Sequence, residues 1–382
     1  MKILVALTYY YPHWTGLTAF AQRISEGLAG RGHRVTVVTS HYRSELARDE
    51  VHKGVRVIRV PALLRLSRGQ LMPAFLPTVA RLVREHDVVQ VHTPMLETWP
   101  VGLIAHRAGR QLLMTHHGDL VMPADPWNRV VQASVGWMQR RGAQVADRIS
   151  IYTQDYVDHS DYLRPHADKI AVIFPPVVFP TAQAAEAAGW RQSLSLDGAH
   201  VVGFAGRFVE EKGFDYLLRA IPLVREQVPD VRFLFAGEHR VVYERFYERC
   251  RPLIEAQRDR LTMLGLLTDP QRMAAFYAMC DAFVLPSRTD CLASVQVEAM
   301  LSGTPVVATD IPGARQAVMR SGMGLLVPPH DEAALARGLV EVLRHREDYV
   351  RAREHVLSVF DPEESIAQYE RLLESMCCPP AA

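Results

Sequence analysis

The chain has 382 residues, enough at roughly 150 per domain for two domains or one large one. Hydrophobic residues at 48% and charged residues at 22% are ordinary for a globular protein and exclude disordered, collagen-like and coiled-coil classes. A formal net charge of +1 lacks the basic excess of a dedicated nucleic-acid binder, so no nucleic-acid partner is expected. That balance conceals a division: residues 1–180 hold 21 basic and 14 acidic residues, or +7, and residues 181–382 hold 22 and 28, or −6. The five cysteines (Cys250, Cys280, Cys291, Cys377, Cys378) form no C-x-x-C pair, so neither a zinc site nor a disulfide framework is expected and a reducing cytoplasm fits. The apolar run after Lys2 is too short for a signal peptide, and no stretch approaches the ~20 apolar residues that span a bilayer. Any membrane contact is therefore expected to be peripheral.

Strand-sized apolar runs recur along the first half at Ile3–Leu7, Val35–Thr39, Val55–Val60, Val88–Val91, Leu112–Thr115, Ile149–Tyr152 and Ile170–Ile173. Most are apolar throughout, as parallel strands buried on both faces require. Between the first two, Phe20, Ile24 and Leu28 at helical spacing end at Gly30-Arg31-Gly32, giving a βαβ unit. A small, polar-rich stretch at 181–199 precedes a second series. Its predicted strands are His200–Ala205, Val231–Ala236, Leu261–Leu264, Ala282–Leu285 and Pro305–Ala308, with helices at Tyr216–Val228, Met273–Cys280 and Ser294–Leu301 and further helices beyond Asp331. Alternating strands and helices predict a parallel sheet in each half. The economical fold is α/β with two doubly wound domains joined near residue 180, and loops after the strands are where ligands should bind.

Four groups of residues stand at such loops. Asp290 follows a strand and Glu298 lies eight positions on, inside the next helix; between them the amides of Cys291, Leu292, Ala293, Ser294 and Val295 open the helix, a place suited to phosphate. On local pattern alone the better reading is Asp290 as a turn former and Glu298 as a solvated helix residue. Gly206, Arg207 and Lys212 follow another strand end, where two cations suit a departing diphosphate. The end of a further predicted strand lies near Leu264, Gly265 and Leu266. In the first half His92 ends one strand, and His116-His117-Gly118-Asp119 follows the next. His13, His33 and His41 read as structural. Pro175-Pro176 reads as a stiff connector.

The stretch Ser287–Gly313, SRTDCLASVQVEAMLSGTPVVATDIPG, resembles the signature S-x-x-E-x-F-G-x-x-x-x-E-A-M-A-x-G-x-P-V-V of the family 4 retaining glycosyltransferases. Ser287, Glu298, Ala299, Met300, Gly303, Pro305, Val306 and Val307 match; Asp290 replaces the family's first glutamate, and Leu292-Ala293 its Phe-Gly. Gly206, Arg207, Lys212 and Gly213 match G-R-L-x-x-x-K-G. Thr115, His117 and Gly118 match T-x-H-G, and Thr15-Gly16 falls on the family's opening glycine pair. The resemblance covers nearly the whole chain and implies the GT-B fold, two Rossmann-like doubly wound parallel-sheet domains facing a central cleft. Residues 1–180 would be the acceptor domain, 181–359 the donor domain, and the tail at 360–382 a helix crossing back to the first.

It further implies that a hexose passes from a UDP- or GDP-sugar to a saccharide or lipid-linked acceptor, without metal or other cofactor. His117, Arg207, Lys212 and Asp290 would be catalytic. Gly16, Gly206, Leu264, Gly265, the amides of Cys291 to Val295, and Glu298 would bind the donor. Thr15, His92 and Asp119 would line the acceptor side. The basic first domain suggests docking on an anionic membrane through Arg65, Arg68, Arg81, Arg84, Arg140 and Arg141. The same plan also suits a sugar-nucleotide epimerase, a phosphorylase, or a sugar-nucleotide sensor without catalysis.

Overall fold

The computed structural model describes residues 1–66, 69–121, 126–241 and 244–377; Arg68 and Cys378 lie outside them. The chain divides into two units, Met1–Pro176 with Pro362–Ala382 and Val177–Asp361. In the first unit the elements are β1 (Lys2–Ala6), α1 (Gly16–Gly30), β2 (Arg34–His41), β3 (Asp49–His52), β4 (Val55–Pro61), β5 (Leu64–Leu66), β6 (Gly69–Leu71), α2 (Phe75–Leu82), β7 (Val88–Thr93), α3 (Thr98–Arg107), β8 (Gln111–His116), α4 (Pro126–Val145), β9 (Arg148–Ile151), α5 (Gln154–Asp158) and β10 (Ile170–Val172). Eight strands form one sheet in the order β10-β9-β8-β7-β1-β2-β4-β3, parallel except for β3. All six residues of β7 are buried, as a strand covered on both faces demands. The antiparallel edge β3 is the charged sequence DEVH, and β5 and β6 form a separate hairpin; neither carries the apolar run that marks the inner strands.

The second unit contains α6 (Ala184–Ser193), β11 (Val201–Ala205), α7 (Phe214–Gln227), β12 (Arg232–Ala236), α8 (Phe246–Ala256), β13 (Leu261–Gly265), α9 (Pro270–Ala278), β14 (Ala282–Leu285), α10 (Ser294–Leu301), β15 (Val306–Thr309), α11 (Arg315–Ser321), β16 (Gly324–Val327), α12 (Glu332–Arg344), α13 (Arg346–Tyr349) and α14 (Arg353–Val359). The polar stretch after residue 181 is thus not open chain throughout: α6 buries Trp190, whose ring lies under the Arg272 guanidinium. Six parallel strands run β13-β12-β11-β14-β15-β16. Strand order reverses between β11 and β14 here, and between β1 and β7 in the first unit. These are the topological switch points, where parallel sheets bind ligands beyond their carboxyl ends.

The last helix, α15 (Pro362–Cys377), returns to the first unit. Ile366, Tyr369, Leu372, Leu373 and Met376 form its buried face, and at its edge Glu370 receives Arg31 at 3.0 Å and His33 at 2.6 Å. Burial of each such side chain is worth about 1.5–3 kcal/mol, so the apolar face rather than the edge ion pairs holds the helix. With α15 counted, the first unit holds 22 basic and 18 acidic residues, a net of +4. Among the described residues no helix is long and apolar enough to cross a membrane.

Candidate active site

At the switch point of the second unit, the loop after β11 is fixed from below. Phe208 and Phe214 bracket it, both buried, with ring centroids 4.4 Å apart and Phe204 and Phe235 packed beside them. A 3-10 turn, Glu210–Lys212, then closes at Gly213, whose φ of +64° places the position of a Cβ 1.9 Å from the Pro286 carbonyl oxygen. Only glycine allows that approach, which presses the loop onto the end of β14. Arg288 completes the junction: it makes paired hydrogen bonds to Asp215 at 2.9 Å each, its guanidinium lies 4.4 Å over the Tyr216 ring, and its amide donates to the Glu211 carbonyl. Burial pushes the Asp215 carboxyl up, but hydrogen bonds from Arg288 and Arg219 outweigh it and hold the group below the usual carboxylate range.

The consequence is a direct contact between two residues 78 positions apart: Lys212 Nζ donates to Asp290 Oδ2 at 2.5 Å, and Ser287 Oγ donates to the same oxygen at 3.3 Å. Arg207 engages Glu211 at 3.2 Å. Asp290 pairs with Gly313 in a short parallel bridge, and Gly313, at φ +82°, would carry a Cβ 2.2 Å from the Cys291 carbonyl oxygen. Cys291, Leu292 and Ala293 are buried and lead into α10, whose start no side chain among the described residues caps. Ser294 and Val295 form its first turn. Glu298, one turn in, accepts a hydrogen bond from Tyr277 at 3.1 Å. Burial, then the charge of Glu298, pushes the Tyr277 phenol well above its ordinary value, so it stays a donor to the carboxylate. Gly206 opens the β11 loop at φ +143°, while Leu264 and Gly265 close β13, where the Gly265 carbonyl accepts the Gly237 amide at 2.8 Å.

The first unit builds a different cluster at its own switch point. His92 Nδ1 and His117 Nε2 lie 2.8 Å apart, and His117 Nδ1 is hydrogen-bonded to the Tyr152 hydroxyl. Phe20 of α1 meets the His117 ring edge-on at 4.8 Å. Burial pulls the His92 pKa down to about 3 and holds His117 well below its usual value, the charges of His92 and His116 adding to the effect. The pair is neutral, and one ring donates to the other. Both nitrogens of His117, expected to meet a donor hexose, are thus engaged within the protein. Asp119 accepts from the Tyr156 hydroxyl at 3.0 Å; burial pushes its carboxyl up, but His116 and Tyr156 more than offset this and hold it down.

Thr15, read as half of a glycine pair, is the N-cap of α1: its hydroxyl accepts from the Thr18 amide while the Thr18 hydroxyl accepts from the Thr15 amide. Gly16 follows it, exposed, with nothing within 4 Å of where a Cβ would lie. Away from both switch points, one His/Glu group among the described residues has ligand atoms within 4.8 Å of each other: His33, Glu370 and Glu374. Its Glu370 already serves Arg31 and His33. Tyr152, Tyr156, Tyr277, Asp215 and Arg288 are the functional neighbours that sequence reasoning missed. Asp215 and Arg288 lie inside the two motif stretches of the second half and could have been found there as a complementary pair.

Two family models divide the chain as its units do: "Glycosyl transferase 4-like domain" matches residues 15–176 and "Glycosyl transferases group 1" matches 199–345. A phosphatidyl-myo-inositol mannosyltransferase of Mycobacterium leprae is 26% identical over 98% of this chain and 97% of its own. A GDP-mannose-dependent alpha-mannosyltransferase of Mycolicibacterium smegmatis is 25% identical over 98% of each. The sucrose-phosphate synthase of Thermosynechococcus elongatus superposes with a TM-score of 0.79 over 98% of each chain, at 22% identity. The fold is GT-B, and the protein is an enzyme that transfers a sugar from a nucleotide sugar. The chain belongs to the group 1 glycosyltransferases, family 4.

Proposed function

We propose that the enzyme transfers a hexose, with retention of anomeric configuration and without a metal, from a nucleoside diphosphate sugar bound by the second unit to a saccharide or lipid-linked acceptor bound by the first. The contact of Lys212 with Asp290 at a topological switch point carries this reading. It sets a cation beside an uncapped helix start, where Arg207, Lys212 and the amides of Cys291 to Val295 receive the diphosphate. Glu298, oriented by Tyr277, accepts from the ribose diol, and the backbone at Leu264 and Gly265 meets the base.

In the step itself the acceptor oxygen bonds to the anomeric carbon on the face the diphosphate leaves. The breaking C–O bond gives its electron pair to the phosphate oxygen, which takes the acceptor proton. The low basicity of buried His92 and His117 supports the phosphate, rather than a histidine, as that base. Lys212 and Arg207 stabilise the charge gathering on the leaving group.

The names of the relatives support GDP-mannose as the first donor and an inositol lipid as the first acceptor to supply. The enzyme then works in the cytoplasm at the membrane that holds its acceptor. A thermal-shift panel of GDP, UDP, ADP and their sugars tests the reading: one nucleoside diphosphate should stabilise by about 2.7 kcal/mol at a hundred times its Kd. Absence of any such shift overturns the donor site. An inverted anomer in the product overturns retention, and loss of turnover in EDTA overturns metal independence.

A further inference from the structure

We propose that Phe179 and Arg353 are positioning residues for the nucleotide, closing a ring of contacts that fixes the Glu298 carboxylate; this rests on the reading of the second unit as the donor site. Glu298 lies one turn into α10. A glutamate side chain has several rotamers to lose, so its carboxylate keeps one place only when its hydrogen-bond partner is itself immobile. That partner is Tyr277 of α9, which donates at 3.1 Å. The Tyr277 ring is fully buried, with Phe179 and Phe283 edge-on to it at centroid distances of 5.6 and 5.3 Å. Phe179 is the third residue of the second unit, just beyond the stiff Pro175-Pro176, and its side chain is buried.

Arg353, the first residue of α14, ties Phe179 back to α10. One guanidinium nitrogen donates to the Phe179 carbonyl at 2.5 Å and the other to the Leu301 carbonyl at 2.6 Å. Leu301 ends α10, and its carbonyl is among the last four that a helix cannot satisfy from within. A cation there also meets the negative end of the helix dipole. The contacts thus run from Glu298 through Tyr277, Phe179 and Arg353 to Leu301, one turn further along the same helix. Thr304, just past α10, adds a second tie, its hydroxyl donating to the Tyr277 carbonyl at 2.7 Å. All of these residues belong to one unit, so the ring is complete within it. α10 cannot slide or turn without disturbing Tyr277, and Glu298 is held at one height. Phe179 and Arg353 act through Tyr277 and α10, so they should govern how well the ribose is read rather than whether the diphosphate binds.

The test compares GDP, UDP and ADP with their 2′-deoxy counterparts in calorimetric titrations of the full chain. The wild type should bind one ribonucleotide roughly tenfold to a hundredfold more tightly than its 2′-deoxy form, as expected for one hydrogen bond to a charged group. Glu298→Ala should bring that ratio to about one. Arg353→Met keeps the stem and deletes both carbonyl contacts, and Phe179→Leu removes the ring behind Tyr277. Each should lower the ratio about fivefold or more while the 2′-deoxy nucleotide binds as it does to wild type. Arg353→Lys, which lacks the fork that spans two carbonyls, should recover only part of the ratio. A ratio unchanged in Arg353→Met and Phe179→Leu overturns the proposal. So does an equal loss for both nucleotides, which would make the ring a support of the fold alone. Either result leaves the donor site standing if Glu298→Ala still abolishes the preference. A wild type that binds no ribonucleotide, or binds without preference, overturns the donor reading and the proposal together. If one variant does not fold, the other decides.

Discussion

The two units apply one topology to opposite electrostatic ends. At the β1/β7 switch point, burial strips charge from His92 and His117, leaving a neutral hydrogen-bonded pair closed by Tyr152. At the β11/β14 switch point, Lys212 and Asp290 satisfy each other as ions on the rim of an open helix start. A neutral, preformed cluster suits hydroxyl groups, which bring dipoles; a partly exposed ion pair suits an anion, which can exchange places with the carboxylate on the lysine. The contrast is one of burial depth, set on two sheets whose strand orders both reverse at the point where these clusters lie.

Removing one side of the contrast should cost most. Lys212→Ala deletes the cation that the proposed reading sets opposite the leaving group and is expected to lower kcat by about 10²–10³-fold or more in a transfer assay; near-normal turnover would take the diphosphate away from this loop. Next comes the backbone that shapes the charged site. Gly313→Ala forces a methyl against the Cys291 carbonyl at a φ of +82° and should destabilise the chain by about 2–4 kcal/mol in urea unfolding.

The neutral side is tested by pH. His92 titrates near 3 when folded and near 6.5 when unfolded, so on acidification the unfolded chain binds the proton first. Stability is complete above about pH 6.5 and falls towards pH 3 at up to ~1.4 kcal/mol per pH unit, with His117 acting in the same direction. His92→Gln should flatten that slope in a series of urea midpoints; an unchanged slope would mean that His92 is not the neutral partner. Smallest is Thr15→Ala, which removes the α1 cap and should cost about 1 kcal/mol, read as a modest shift in Tm.

The parallel strands were legible because burial on both faces writes itself as an uninterrupted apolar run, as in VVQV of β7. β3 was not, because an antiparallel edge needs no apolar face and DEVH has none. α8 was missed for a related reason: Phe246, Cys250 and Ile254 are its buried stripe, but charged residues and Pro252 separate them. For the site, Lys212, Asp290 and Glu298 stood in recognisable stretches, yet no single stretch encodes that Lys212 meets Asp290. That contact follows from Gly213 lying against Pro286, a relation between two loops. The tyrosines were harder still. A buried phenol looks like core in a sequence, and only the placement of Glu298 or His117 gives Tyr152 and Tyr277 a polar task.

The return of α15 to the first unit makes the second unit an insertion within the first. During synthesis Val177–Asp361 emerges whole before the segment that completes the first sheet's helical cover, so the first unit to begin is the last to finish. For the protein engineer the asymmetry runs the other way: the second unit is one contiguous cassette, exchangeable between two cut points. The first can be transplanted only as two segments, and trimming the last turns of the chain injures the domain at its beginning.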